Sequence, residues 1–258
     1  MSSPLFTRQL WTSLRGWWRE QSRENGVASA SALLARELWD FLRDSTPERR
    51  RRRYGDMEYD WKHRVNTTSG TVGWRERLLG VFLSGYQPTE PAAFQEMMAS
   101  LPIDFREFTF VDLGSGKGRT LLMASEYPFR RIVGVEILPR LSQVAAENIQ
   151  AYKSSTQRCT QIESVCADAR KFELPSEPLL LYLFNPLPAE GLASVLANLK
   201  KSLEHNPRLA YLLYHNPLLE EQLRNCSWLE PVQRSTQFAV FLHEPFRSMR
   251  DEPLARSI

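Results

Sequence analysis

Cysteine is scarce in this chain of 258 residues, with only Cys159, Cys166 and Cys226 present. The number is odd and no CxxC spacing occurs, so neither a disulfide framework nor a zinc cluster is supported, and a reducing, cytoplasmic setting fits best. No stretch approaches the ~20 consecutive apolar residues of a membrane span. Lysine is missing from residues 1–54, where 11 arginines stand against 6 acids. The whole chain carries only +3, so the rest is slightly acidic. The basic character therefore belongs to an N-terminal segment and not to the protein as a whole. A hydrophobic share of 42% and a charged share of 24% exclude a collagen-like or disordered chain.

What is present divides into three parts. Residues 1–54 form a basic, helical extension. Leu5, Phe6, Leu10, Trp11, Leu14, Trp17 and Trp18 recur at spacings of three and four, which predicts an amphipathic helix. Asn25-Gly26 reads as a stop, a second helix is expected near 29–43, and five consecutive arginines follow at Arg49–Arg53. Tryptophans flanked by arginines suit packing first, and peripheral contact with an anionic membrane through residues 1–20 second. The arginine run reads as a solvated face; nucleic acid is not favoured as a partner, because no aromatic residue interleaves it. Residues 55–103 are expected to form a helical cap or entry segment, with helices near 74–84 and 90–101. From residue 104 onward, apolar runs at 108–113, 131–136, 160–166, 179–184 and 208–215 alternate with helical stretches. Such alternation predicts β-α units around a parallel sheet buried on both faces. Trp228–Arg234 and Gln237–His243 lie so close in sequence that they must pair antiparallel. The expected fold is α/β, a doubly wound, mostly parallel seven-stranded sheet ending in a hairpin.

The strongest local signal is Asp112-Leu113-Gly114-Ser115-Gly116-Lys117-Gly118-Arg119, a strand running through a glycine-rich turn into a helix. Glycines there let a ligand approach the backbone and leave helix N–H groups pointing at it. Walker A chemistry needs glycine at 111 and Ser or Thr at 118, but the chain has Val111 and Gly118. The dinucleotide pattern needs glycine at 119, which is arginine. Glu136 ends the second apolar run, 22 residues after Gly114, where a carboxylate can accept from ribose hydroxyls or simply cap the next helix. Asp168 follows the third run and Asn185-Pro186 ends the fourth. Nothing in the pattern calls for a metal.

These motifs resemble those of the Rossmann-like, seven-stranded S-adenosylmethionine-dependent methyltransferases, over roughly residues 85–246. The turn with its upstream Tyr59-Asp60 and Thr67-Thr68-Ser69-Gly70 is similar to a broad bacterial group of these enzymes, a likeness that brings no substrate with it. The turn is also similar to that of lysine methyltransferases acting on histones and other proteins. The resemblance implies that S-adenosylmethionine is held by Asp112, Gly114, Ser115, Gly116, Gly118, Glu136, Ile137, Asp168, Ala169 and Asn185. Asp112 would face the positive methionine end and Asp168 the adenine amino group. Tyr86-Gln87-Pro88-Thr89 looks like an entry segment covering the methionine end, with Thr89 as a helix N-cap. Catalysis is assigned to Asn185, Pro186 and Tyr86. The Asn-Pro start is similar to the motif of amino-methyltransferases but departs from it at Leu187 and Pro188.

The expected activity is methyl transfer to a nitrogen nucleophile of a protein side chain or small molecule. The cofactor supplies the activated methyl group, and the protein supplies alignment and a free lone pair. Tyr214 and His215 are candidates for a general base, His215 fitting a structural role better. Two other classes remain open. A cofactor-binding interaction protein without catalysis would share the pocket. An NAD(P)-dependent oxidoreductase would require a sixth parallel strand and glycine at 119.

Overall fold

A computed structural model describes residues 15–16, 18–19, 21–23, 26–35, 58–68, 88–184 and 187–245. The N-terminal pieces are helical, the longest over 26–35, and Gly26 sits in the left-handed region at φ 77°, as a helix boundary requires. The rest of the extension, the arginine run, the helix expected at 74–84, Tyr86, Asn185 and Pro186 all lie outside the described residues.

From residue 58 to the sheet, the described residues hold two short α-helices, α1 (Glu58–His63) and α2 (Pro91–Ala99), and a 3-10 turn over Phe105–Glu107. Then come β1 (Thr109–Leu113), α3 (Arg119–Ala124), β2 (Arg131–Glu136), α4 (Pro139–Ala151), β3 (Ile162–Cys166) and β4 (Leu179–Phe184). The chain continues through α5 (Ala189–His205), β5 (Ala210–His215), α6 (Glu220–Arg224), β6 (Glu230–Arg234) and β7 (Phe238–His243). The seven strands lie in the order β3-β2-β1-β4-β5-β7-β6. β1 to β5 pair in parallel, whereas β7 runs antiparallel to both β5 and β6. The sheet is thus the one the alternation predicts, and the terminal hairpin removes the sixth parallel strand that an NAD(P)-dependent oxidoreductase would need.

The uninterrupted apolar run of β4 follows from its central place. Leu180 and Tyr182 enter one cluster with Phe94, Met97, Phe110 and Leu122. Leu179, Leu181 and Leu183 enter the other with Val111, Leu192, Leu199 and Phe241. Successive side chains face opposite sides of a strand, and both sides here are dry. β6 is the outer strand, largely exposed, with Pro231 beside a register shift. An edge strand tolerates a residue without an N–H and is blunted by it.

The strand order reverses between β1 and β4, which opens a crevice at the carboxyl edge where such sheets hold ligands. Asp112 stands there, in register with Gly134 on one side and Tyr182 on the other. Gly134 is required by close approach. A Cβ at that position would lie 2.5 Å from Leu121 Cδ1 and 2.7 Å from Ser115 Oγ. Gly134→Val should therefore cost about 2 kcal/mol of stability through overpacking. The midpoint of urea unfolding measures this, and an unchanged midpoint would contradict the close approach.

Candidate functional site

The turn after β1 is built by left-handed backbone. Gly114, Gly116 and Gly118 have φ of 89°, 54° and 81°, a region that side-chain-bearing residues rarely enter. The amides of Gly114 and Ser115 both donate to the Val135 carbonyl, at 2.8 and 3.1 Å. Gly118 also packs against α4, where a Cβ would come within 3.1 Å of Ala145 Cβ. Ser115 is buried, and its hydroxyl has no partner among the described residues.

Glu136 is nearly inaccessible. Its Oε2 accepts from the Gly116 amide at 2.9 Å and its Oε1 from the Leu138 amide at 2.8 Å. It therefore braces the turn and caps the approach to α4 together. Each carboxylate oxygen still has acceptor capacity for a hydroxyl. Burial raises its pKa, and the amide bonds oppose that shift. Ile137, next in the chain, is half-buried.

Asp112 is 2% exposed. Among the described residues its hydrogen bond comes from the Thr120 hydroxyl, and the charge acting on it, from Glu136, has the same sign. Burial pushes it up to about 7, Glu136 adding to the rise and Thr120 opposing it. A buried carboxylate held in this way favours its neutral form unless a cation comes beside it.

Asp168 follows β3 and is gripped by Arg170. Nε lies 2.9 and 3.1 Å from the two oxygens, a terminal nitrogen lies 2.6 Å away, and the Arg170 amide adds 3.0 Å. These bonds hold its pKa below the ordinary value. Part of its acceptor capacity is thus already taken. Ala169 is half-buried and packs against the cluster beneath β2 and β4.

Thr89 is not the N-cap of α2. Glu90 holds that place, without a side-chain cap, and Pro91 begins the helix. The Thr89 hydroxyl is buried and bonds the Tyr182 hydroxyl at 2.8 Å, which in turn bonds His215 Nδ1 at 2.8 Å. The His215 ring stacks on Phe184, centroids 4.0 Å apart, and burial pulls its pKa down to about 4. A neutral ring in a hydroxyl network suits the structural role expected of it. Tyr214 points to the opposite face, in the cluster with Leu212 and Phe241.

The sequence singled out Tyr59-Asp60 and Thr67-Thr68 within a cap or entry segment, but not the contacts that join them to the turn. Lys117 and Arg119 are buried, 2% and 1% exposed. Both reach back to residues 60–68, Arg119 to Asp60 at 3.3 Å and Lys117 Nζ to the Thr68 carbonyl at 2.6 Å. Asn148 on α4 completes the contact, donating to the carbonyls of Asn66 and Lys117 at 3.0 and 2.9 Å and accepting from the Asn66 amide at 2.7 Å. The available signal was two cations inside a turn expected to face a cationic ligand, an arrangement that needs an acid from elsewhere in the chain.

A family model described as "Histone methylation protein DOT1" matches residues 84–162, the stretch from just before α2 to the start of β3. No curated protein matches. Among solved structures the chain is similar to the 23S rRNA methyltransferase ErmE, with 15% identity, 67% of this chain and 73% of that one covered, and a TM-score of 0.44. It is also similar to an RNA methyltransferase from Salinibacter ruber in complex with S-adenosyl-L-homocysteine, with 21% identity, coverage of 62% and 94%, and a TM-score of 0.40. A third likeness is to the putative methyltransferase yhhF from Escherichia coli, with 16% identity, coverage of 63% and 92%, and a TM-score of 0.44. The sheet order and the glycine turn define a seven-stranded, Rossmann-like fold, and the family model falls on the part of it that carries the turn and Glu136. Among the described residues no helix is long and apolar enough to cross a membrane.

Proposed function

We propose that the chain is an S-adenosylmethionine-dependent methyltransferase that transfers the methyl group to a nitrogen nucleophile, on a protein side chain in preference to a small molecule. The cofactor would lie along the carboxyl edge of β1, β2 and β3. Asp112 takes its cationic methionine end, the amides and glycines of residues 114–118 its close approach, Glu136 and Ile137 the ribose, and Asp168 and Ala169 the adenine. Thr89 and Tyr86 would cover the methionine end, and Asn185 with Pro186 would face the methyl group. The observation that carries this reading is Asp112, whose buried carboxylate has no cation beside it among the described residues. The nitrogen preference is supported by the Asn-Pro sequence after β4, where a side-chain carbonyl and strand-end carbonyls can accept from an incoming N–H and leave its lone pair free. The protein preference is supported by the description of the matching family.

S-adenosylmethionine supplies an activated methyl group when bound. The chain's own task is to hold the nucleophile in line and keep water out. Transfer of tritiated methyl from S-adenosylmethionine tests the assignment. Base-stable label in protein amines is expected. Label confined to RNA or to oxygen would overturn the acceptor class. Tight NAD binding with no affinity for S-adenosylhomocysteine would overturn the cofactor.

A further inference from the structure

β4 and β5 are neighbours in the sheet, and the same kind of sequence ends both. One closes with Phe184-Asn185-Pro186-Leu187 and the other with His215-Asn216-Pro217-Leu218. The register sets Phe184 opposite His215, and the two rings stack with centroids 4.0 Å apart. Asn216 bends the chain directly after the histidine. It takes the left-handed region at φ 49°, which asparagine tolerates better than most residues, and its amide donates to the Gln237 carbonyl at 2.7 Å. The imidazole is therefore fixed at the carboxyl edge, beside the strand end assigned above to the methyl group.

One nitrogen of that ring is engaged and the other is not. Nδ1 shares a hydrogen bond with the Tyr182 hydroxyl at 2.8 Å, and that hydroxyl shares another with Thr89 Oγ1 at 2.8 Å. Thr89 and Tyr182 are buried, and neither hydroxyl has a further partner among the described residues. The chain of bonds can run in two directions. If Thr89 donates to Tyr182 and Tyr182 to Nδ1, both buried hydrogens are used and the ring carries its proton on Nε2. If Nδ1 donates to Tyr182 and Tyr182 to Thr89, the threonine hydrogen is left in a dry place without an acceptor, which is the costlier arrangement. Burial, with the charge of Asp112 added, keeps the Tyr182 hydroxyl protonated and so a donor. The first direction therefore holds. Nε2–H then makes no hydrogen bond among the described residues, and it is not sealed from solvent. The ring's lone pair is occupied on Nδ1, so His215 is not placed to take a proton from the methyl acceptor. It is placed to donate. We propose that His215 is a substrate-binding residue whose Nε2–H, set by the Thr89–Tyr182 hydroxyl chain and walled by Phe184, donates to a carbonyl oxygen of the peptide that carries the methylated nitrogen. Burial holds the ring neutral, and a neutral ring offers no charge to a phosphate, which favours a peptide over a nucleic acid. The proposal rests on the acceptor reading above. It adds that the nucleophilic nitrogen loses its proton to some group other than His215.

The test uses magnetic resonance of the full chain carrying isotopically labelled histidine and saturated with S-adenosylhomocysteine. Two probes are titrated into it. Lysine capped as its N-acetyl methylamide presents an amine and peptide carbonyls, whereas n-pentylamine presents the amine alone. The ring signals of His215, identified by their loss in His215→Gln, should show the proton on Nε2. The capped lysine should shift that signal, and n-pentylamine should not. His215→Phe keeps a ring against Phe184 but has no donor. It should weaken the capped lysine by about three- to tenfold, the order of one neutral hydrogen bond, and leave n-pentylamine unchanged. His215→Gln keeps an N–H donor near the Nε2 position and should lose less. A proton on Nδ1 overturns the proposal, as does a signal that the capped lysine leaves unmoved or that uridine moves in its place. Equal losses for the two probes, or a larger loss in His215→Gln than in His215→Phe, overturn it as well, since a merely structural ring would act in that way. If His215→Phe does not fold, the position of the proton and the contrast between the probes in wild type decide the matter. Wild-type protein with no affinity for S-adenosylhomocysteine would overturn the cofactor reading and this one with it, whereas any of the other adverse results in cofactor-loaded protein overturns this one alone.

Discussion

Replacing Glu136 with alanine should lower affinity for S-adenosylhomocysteine by a factor of about 100 to 10,000, measured by calorimetry. Two hydroxyl bonds to a buried carboxylate are worth roughly 1.5–3 kcal/mol each, and every 1.4 kcal/mol is about tenfold. The variant also strips the Gly116 and Leu138 amides of their acceptors, so the turn itself loosens. Glu136→Gln keeps the shape and one carbonyl acceptor and should fall between the two. Unfolding midpoints separate a binding effect from collapse. A Glu136→Ala protein that keeps its fold and its affinity would remove the ribose role and leave only the helix-capping one.

The second large effect concerns pH. Asp112 is held up to about 7 by burial, against an ordinary value of 3.8. A cationic cofactor needs it ionised, so binding below that pH must displace a proton. Affinity for S-adenosylmethionine should therefore fall about tenfold for each pH unit below about 7, and one proton should be released per molecule bound near pH 6. Calorimetry in buffers of different ionisation enthalpy reads that proton directly. In the ligand-free protein the sign is reversed. A raised pKa contributes stability below about 4 that is lost as pH rises through 7. Asp112→Asn should flatten both profiles, and an unaltered proton count in that variant would sink the assignment. Lys117, pushed down to about 8 by burial, acts in a higher window. Its burial disfavours the fold below 8, and that cost fades as pH rises toward 10.5.

Some of this was legible in the sequence, and physical reasons separate what was from what was not. β4 could be read because a strand dry on both faces has no polar residue to interrupt it. The turn could be read because only glycine takes three left-handed positions in five residues. The hairpin could be read because two strands with a short connection have one way to pair. The cover over the turn could not be read in the same way. α1 is six residues long, too short for a periodic stripe, and residues 64–68 are polar loop. An ion pair between Asp60 and Arg119 leaves no trace at either end. Thr89 misled for a related reason. A threonine ahead of a helix looks like a cap, but here its hydroxyl is buried against Tyr182, a partner 93 residues away.

The Asp60–Arg119 contact spans 59 residues, and Asp60 leaves the ribosome first. Closing a loop of that length carries an entropic cost that no local contact offsets, so the covering segment has nothing to dock on until β1 and α3 have formed. The part of the molecule made earlier is therefore seated later. During synthesis the acid of α1 waits in water for its arginine, and it is buried only when the two meet.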